Sequence, residues 1–152
     1  MKKNMNKNQR TAFFSLISLF GLPIIFVPLL VFLIKTNFSL AIRAAAILVL
    51  TEIVCASIKF IYRKERPAPV LSAKTLFQIY NARSFPSIHT ARITAFSVIL
   101  AYLYGNKLLG VVSALLIIAV SYSRIHLKKH DAIDVVGGFV IGTIISAVGL
   151  LI

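Results

Sequence analysis

The chain has 152 residues, 59% of them hydrophobic and only 14% charged, with a mean hydropathy of +0.90. Soluble domains carry about a quarter charged residues, so this balance argues against a soluble globule and for a polytopic membrane protein. The net charge of +13 does not point to nucleic acid, because a nucleic-acid binder presents its cations on a soluble face and little soluble surface is left here. The charge reads instead as membrane topology and affinity for anionic ligands.

The apolar runs predict an all-α polytopic membrane helix bundle of about five transmembrane helices, since helices are the credible way to satisfy the backbone in lipid at these lengths. The basic N-terminus "MKKNMNKNQR" precedes a run longer than a signal-peptide core, so the first span is expected to stay uncleaved. That span is expected from about Ala12 to Ile34, kinked at Pro23 and Pro28. The second covers about Ser39 to Tyr62, followed by a polar, proline-punctuated segment from Arg63 to Pro86. The third runs from about Ser87 to Tyr104, the fourth from Leu108 to Ser123, and the fifth from Asp131 to Ile152, with "RIHLKKH" as the link between the last two. No repeat or second domain is visible, so residues 1–152 read as one membrane domain. Cys55, the single cysteine, allows no intrachain disulfide and reads as a small packing residue.

With five spans, the N-terminus, the 63–86 loop and the 124–130 loop share one face. Of the 17 lysines and arginines, all but Lys35, Arg43 and Lys107 fall on or near that face. The positive-inside tendency places it in the cytoplasm.

The same face gathers the residues capable of chemistry. "KFIYRKERP" sets Lys59 and Arg66 seven apart, close to two helical turns, so both share a face if the helix persists until Pro67 breaks it; a plain basic flank is the competing reading. In "SFPSIHTAR", Pro86 and Ser87 suit a helix start, where free amides and the dipole favour an anion. Ser87 either caps its helix or offers a hydroxyl to a ligand, and His89 either exchanges a proton or stands by. In "SRIHLKKHDAID", Arg124 ends one span and His130 opens the next. Asp134 lies four residues beyond His130, where a carboxylate can take the proton of one imidazole nitrogen and leave the other free to attack. Asp131 reads as a helix cap, and His126 receives no role. Cations with free amides are what a tetrahedral phosphate requires.

These three stretches resemble the motifs of the type 2 phosphatidic acid phosphatase superfamily, which also contains vanadium-dependent haloperoxidases and bacterial acid phosphatases. The family pattern of Lys, six residues, Arg-Pro is met by Lys59, Arg66 and Pro67. Pro-Ser-Gly-His is met by Pro86, Ser87, Ile88 and His89, and Ser-Arg, five residues, His, three residues, Asp by Ser123, Arg124, His130 and Asp134. The likeness covers a motif-bearing core of residues 59–137. It implies His130 as the nucleophile forming a phosphohistidine, Asp134 as its orienter and His89 as general acid. It also implies Lys59, Arg66, Arg124, Ser87 and the amide of Ile88 as the phosphate grip. No cofactor and no metal is implied, and the cations crowding both histidines argue against a metal site.

The implied activity is an integral-membrane lipid phosphate phosphatase. Its partners are the bilayer and a membrane-embedded substrate: phosphatidate, phosphatidylglycerol phosphate, an isoprenyl phosphate or diphosphate, or a phosphoglycolipid. A lipid-linked phosphotransferase using the same intermediate and a non-enzymatic anionic-lipid binder are the alternatives. Ile88 departs from the family glycine, which a positive φ would not tolerate. Members commonly have six spans rather than five, and bacterial relatives usually work on the outer side, opposite to the charge tendency. Glu52 is expected to pair with a cation on a neighbouring helix or to help position Lys59. Arg92 either binds phosphate or snorkels. The segment from Lys74 to Asn81 is a candidate interfacial lid.

Overall fold

The computed structural model describes residues 6–68 and 75–152, and among these it contains helices and no strand. Helix α1 (Lys7–Ser18) opens with a capping box in which Asn6 and Gln9 exchange side-chain and backbone bonds. Two short 3-10 turns, Leu19–Gly21 and Pro23–Phe26, join it to α2 (Val27–Thr36). The bend between Lys7–Gly21 and Pro23–Thr36 is 52°. It falls at Pro23, which has no amide to donate, and Leu22 before it is extended as such residues tend to be. Pro28, expected as a second kink, sits instead in the first turn of α2, where no amide is missed.

Helices α3 (Phe38–Tyr62), α6 (Lys107–His126) and α7 (Ala132–Leu151) are each long and apolar enough to cross a membrane, and the two bent N-terminal segments reach that length and hydropathy only together, as a broken span or a re-entrant loop. A short α4 (Leu76–Ala82) lies between α3 and the 17-residue α5 (Ile88–Tyr104). Although short, α5 runs the length of the bundle. Its Ser87 end is hydrogen-bonded to α7 at Asp134, while Ile99 packs with Leu33, Leu40 and Ala41 at the opposite end. Against about five spans expected, three helices qualify alone, the bent pair qualifies jointly, and α5 is a shorter apolar helix of 17 residues. Eight of the 17 residues of α5 are buried by its neighbours, so it has less need to match the bilayer by itself.

The packing is inverted relative to a soluble protein. Ile42, Val49, Ile53, Leu115, Ile118, Val140 and Ile144 point outward, whereas Thr51, Lys59, Ser87, Thr90, His130, Asp134 and Ser146 are buried. This is the pattern expected where lipid is the solvent. Small residues bring α5 and α7 close: a Cβ added at Gly138 would overlap the Ser87 carbonyl oxygen, and one at Gly142 would lie 2.5 Å from that of Ala91. Cys55 is fully buried beside Ile88 and Ala91, as a packing residue should be.

Two sequence expectations are corrected. Helix α3 does not persist to Pro67; it stops at Tyr62, because Arg63 turns left-handed (φ 48°) and caps it through a bond to the Lys59 carbonyl. Helix α6 continues three residues past Ser123, so His126 is helical rather than in the loop, and its ring stacks 4.0 Å from that of Phe14 on α1.

Candidate active site

The break after Tyr62 decides where the first motif goes. Lys59 stays in the last turn of α3, almost wholly buried, and donates to the Arg83 carbonyl at 2.8 Å with its ammonium 5.1 Å from the Tyr80 ring centre. The chain then folds back along residues 83–84. Glu65 pairs with Arg83 in an isolated bridge, and Ser84 donates its amide to the Lys64 carbonyl at 2.8 Å and its hydroxyl to that of Glu65. Arg66 thus reaches the site from a loop and not from the helical face shared with Lys59.

The second motif is locked to the third. The Ser87 amide donates to the Asp134 carbonyl at 2.8 Å. The first bond inside α5 runs from the Ala91 amide to the Ser87 carbonyl, leaving the amides of 88, 89 and 90 without intrahelical partners. Ser87 occupies the cap position but makes no cap bond; its hydroxyl accepts from Thr90 at 3.1 Å. Ile88 is helical, so the family glycine is not needed for a positive φ here, and its side chain fills an apolar cluster with Cys55, Ala91 and Tyr80.

In the third motif the amides of Lys129 and His130 both turn back to the Arg124 carbonyl, at 3.0 and 3.3 Å. Asp131 caps α7 as expected, exchanging bonds with Asp134 in a capping box. Asp134 is completely buried, and His130 is 1% exposed. His130 Nδ1 faces Asp134 Oδ2 at 3.5 Å, longer than an ordinary hydrogen bond. The carboxylate is shared: Lys64 donates to Asp134 Oδ1 at 2.8 Å and to Asp131 Oδ2 at 2.5 Å, and the Asp131 amide takes Oδ2 at 3.0 Å.

The three motifs therefore converge. Burial pushes the His130 pKa down to about 4. The contact with Asp134 opposes that shift, and the charges of Arg124, Lys59 and Arg66 add to it. His130 is consequently an unprotonated imidazole at neutral pH, with Nε2 pointing away from its carboxylate partner. His89 lies in the fields of Arg124, Arg92, His130 and Arg66. Around the site, Arg66 Nε, Arg124 Nε, His89 Nδ1 and, at its 3.5 Å separation from Asp134, His130 Nδ1 are buried polar atoms without a hydrogen-bond partner among the described residues; for the two guanidinium nitrogens this is an uncommon state that an anion relieves. Among the same residues no cluster of three histidine, cysteine or acidic side chains has a metal-binding arrangement.

Two participants were not foreseen. Lys64 looked like one more basic flank, and nothing in its spacing shows that it reaches across 67 and 70 positions to Asp131 and Asp134. Ser18 accepts a bond from Arg124 Nη1 at 2.7 Å from the end of α1. Glu52 does pair with a cation on a neighbouring helix, as expected from the sequence; that cation is Arg92, which turns to α3 instead of snorkelling to the surface. In the candidate lid, Leu76–Ala82 forms α4 against the end of α3, while Lys74 lies outside the described residues.

The class is a helical membrane bundle with a buried, cation-rich cluster around two histidines at one end. The chain belongs to the PAP2 superfamily, whose sequence profile matches residues 40–152. Among solved structures, it is similar to LpxE from Aquifex aeolicus, at 26% identity and a TM-score of 0.78 over 98% of this chain and 90% of that one. It also shares its fold with the first transmembrane PAP2-type phosphatidylglycerolphosphate phosphatase from Bacillus subtilis, at 19% identity and a TM-score of 0.78 over 96% and 77%. No curated protein sequence matches it. The protein is a multi-pass membrane phosphatase of the lipid phosphate type.

Proposed function

We propose that this enzyme removes a phosphomonoester or diphosphate head group from a lipid that remains in the bilayer, through a phosphohistidine on His130 and without a metal. The observation that carries the reading is the buried His130, 3.5 Å from Asp134 and in the fields of Lys59, Arg66 and Arg124. In the first step His130 Nε2 attacks the terminal phosphorus, its bond to the leaving oxygen breaks (the lipid oxygen of a monoester, the bridging oxygen of a diphosphate), and His89 gives that oxygen its proton. In the second, His89 takes a proton from water as the water oxygen displaces His130, releasing inorganic phosphate. The three cations, the Ser87 hydroxyl and the amides at the start of α5, including that of Ile88, hold the phosphoryl oxygens as their charge grows. Asp134 keeps the proton on Nδ1 and offsets the positive charge that His130 acquires. The charge stabilisation that a metal supplies in other phosphatases falls here to the cations, which makes metal independence part of the proposal.

The test is phosphate release by purified, detergent-solubilised protein over a panel of lipid phosphates and diphosphates, with a chelator present. We expect release that survives chelation, disappears in His130→Ala and falls by about 100-fold or more in His89→Ala. Release unaffected by His130→Ala would overturn the mechanism. A parent that becomes phosphorylated without releasing phosphate would indicate transfer to another acceptor.

A further inference from the structure

A second charged group lies beside the site, one helical turn further into the bundle. Arg92 points from α5 to α3, where both Nε and Nη2 donate to the Glu52 carboxylate, the latter at 2.8 Å. Its remaining Nη1 donates to the Gly21 carbonyl at 3.2 Å. That carbonyl belongs to the break in the first span. Extended Leu22 and the missing amide of Pro23 interrupt the helical ladder there, and the Ile25 amide turns to Leu22 instead. In lipid an open carbonyl of this kind needs a partner from the protein, because no water supplies one.

The break is also what His89 rests on. A Cβ at Gly21 would lie 2.7 Å from both Cβ and Cδ2 of His89, so the imidazole packs directly on the Gly21 backbone. One side chain, Arg92, thus fastens three elements: α3 through Glu52, the broken span through Gly21, and α5 through its own backbone three residues after His89. The pair forms the polar end of an otherwise apolar groove of about 390 Å³ that includes Phe26, Leu30 and Leu48. Charges at such a depth are costly, and a cross-link that served packing alone would be served as well by apolar side chains.

We infer that Glu52, Arg92 and the Gly21 carbonyl form a positioning device that seats His89 for proton transfer to the leaving group. This rests on the phosphatase reading above, and it predicts a signature that loss of packing does not produce. A general acid matters where the departing oxygen is strongly basic and hardly at all where it leaves readily as an anion.

The experiment uses two amphiphilic phosphates with the same hydrocarbon chain, one releasing an alkoxide and the other a nitrophenolate, and reads the first turnover in detergent. Glu52→Gln, Gly21→Ala and the double variant Glu52→Gln with Arg92→Met are compared with the parent and with His89→Ala, and melting temperatures are recorded beside the rates. For the single variants we expect alkyl ester cleavage to fall by about tenfold or more, and nitrophenyl ester cleavage by less than about threefold. His89→Ala should show the same pattern more strongly. Glu52→Gln leaves a buried, unpaired guanidinium and lowers the melting temperature, whereas the double variant removes both charges and regains it without regaining alkyl ester cleavage. Equal losses on both esters, or recovery of activity together with melting temperature in the double variant, would overturn the inference in favour of a packing role. Discrimination that is present in His89→Ala but absent from the Glu52 and Gly21 variants would also overturn it, while leaving the phosphatase reading intact. A parent that cleaves neither ester overturns the phosphatase reading itself, and this inference with it.

Discussion

Gly138→Ala isolates the contribution of helix spacing to catalysis, because the change adds one methyl group and no charge. The new Cβ would overlap the Ser87 carbonyl oxygen and lie 3.2 Å from both the Ala91 amide nitrogen and the Ser87 carbonyl carbon. All three are backbone atoms of the first turn of α5, so no side chain can swing aside; the helices must separate. Overpacking of this kind costs about 1–3 kcal/mol. The shift falls where the Ser87 amide meets the Asp134 carbonyl, the bond that registers the second motif against the third. A displacement of about 1 Å between catalytic groups lowers rates by roughly 100-fold. The control is Gly110→Ala on α6, whose Cβ meets nothing within 4 Å; there the better helix propensity of alanine applies, worth up to about 1 kcal/mol. Thermal melting and lipid phosphate release are measured on both variants in the same detergent. We expect Gly138→Ala to melt lower and to lose about two orders of magnitude in kcat/KM, and Gly110→Ala to match the parent or exceed its melting temperature. A Gly138→Ala protein as stable and as active as Gly110→Ala would refute the claim that close approach of α5 to α7 sets the site geometry.

Two further outcomes follow from the chemistry of the third motif. His130 should remain a neutral imidazole down to about pH 4 in an NMR titration, against 6.5 for an unperturbed histidine, and a transition near 6.5 would contradict its burial. Since the unfolded chain takes up this proton at the higher pH, the stability contributed by neutral His130 is present above 6.5 and is lost as the pH falls towards 4. Lys64→Met leaves buried Asp134 without its cation. Because the lysine side chain is 25% exposed, we expect a stability loss of only about 1–2 kcal/mol. We expect kcat to fall by about tenfold with KM little changed, and largely to recover in Lys64→Arg; unaltered kcat in Lys64→Met would show that Asp134 holds its place unaided.

The amino-acid sequence by itself determined the solvent, the architecture and the candidate reactive groups. Long apolar runs leave the backbone no alternative to helices in lipid. The spacings from Lys59 to Arg66, from Ser87 to His89 and from His130 to Asp134 are short enough for local geometry to constrain them. The closeness of His130 to Asp134 was legible because only four positions separate them across the start of α7, and the kink at Pro23 because it is a property of one residue. What the sequence could not disclose depends on which helix lies beside which. The partnership of Glu52 with Arg92 spans 40 positions, that of Lys64 with Asp134 spans 70, and that of Ser18 with Arg124 spans 106. No periodicity records these distances, because each is created when separate helices pack. The end of α3 at Arg63 was likewise decided by tertiary contacts, as the chain was drawn back to pair with Arg83 and Ser84 before Pro67 could act. Local chemistry chose the groups proposed to act on phosphate; the packing of the helices decided which charges stand behind them.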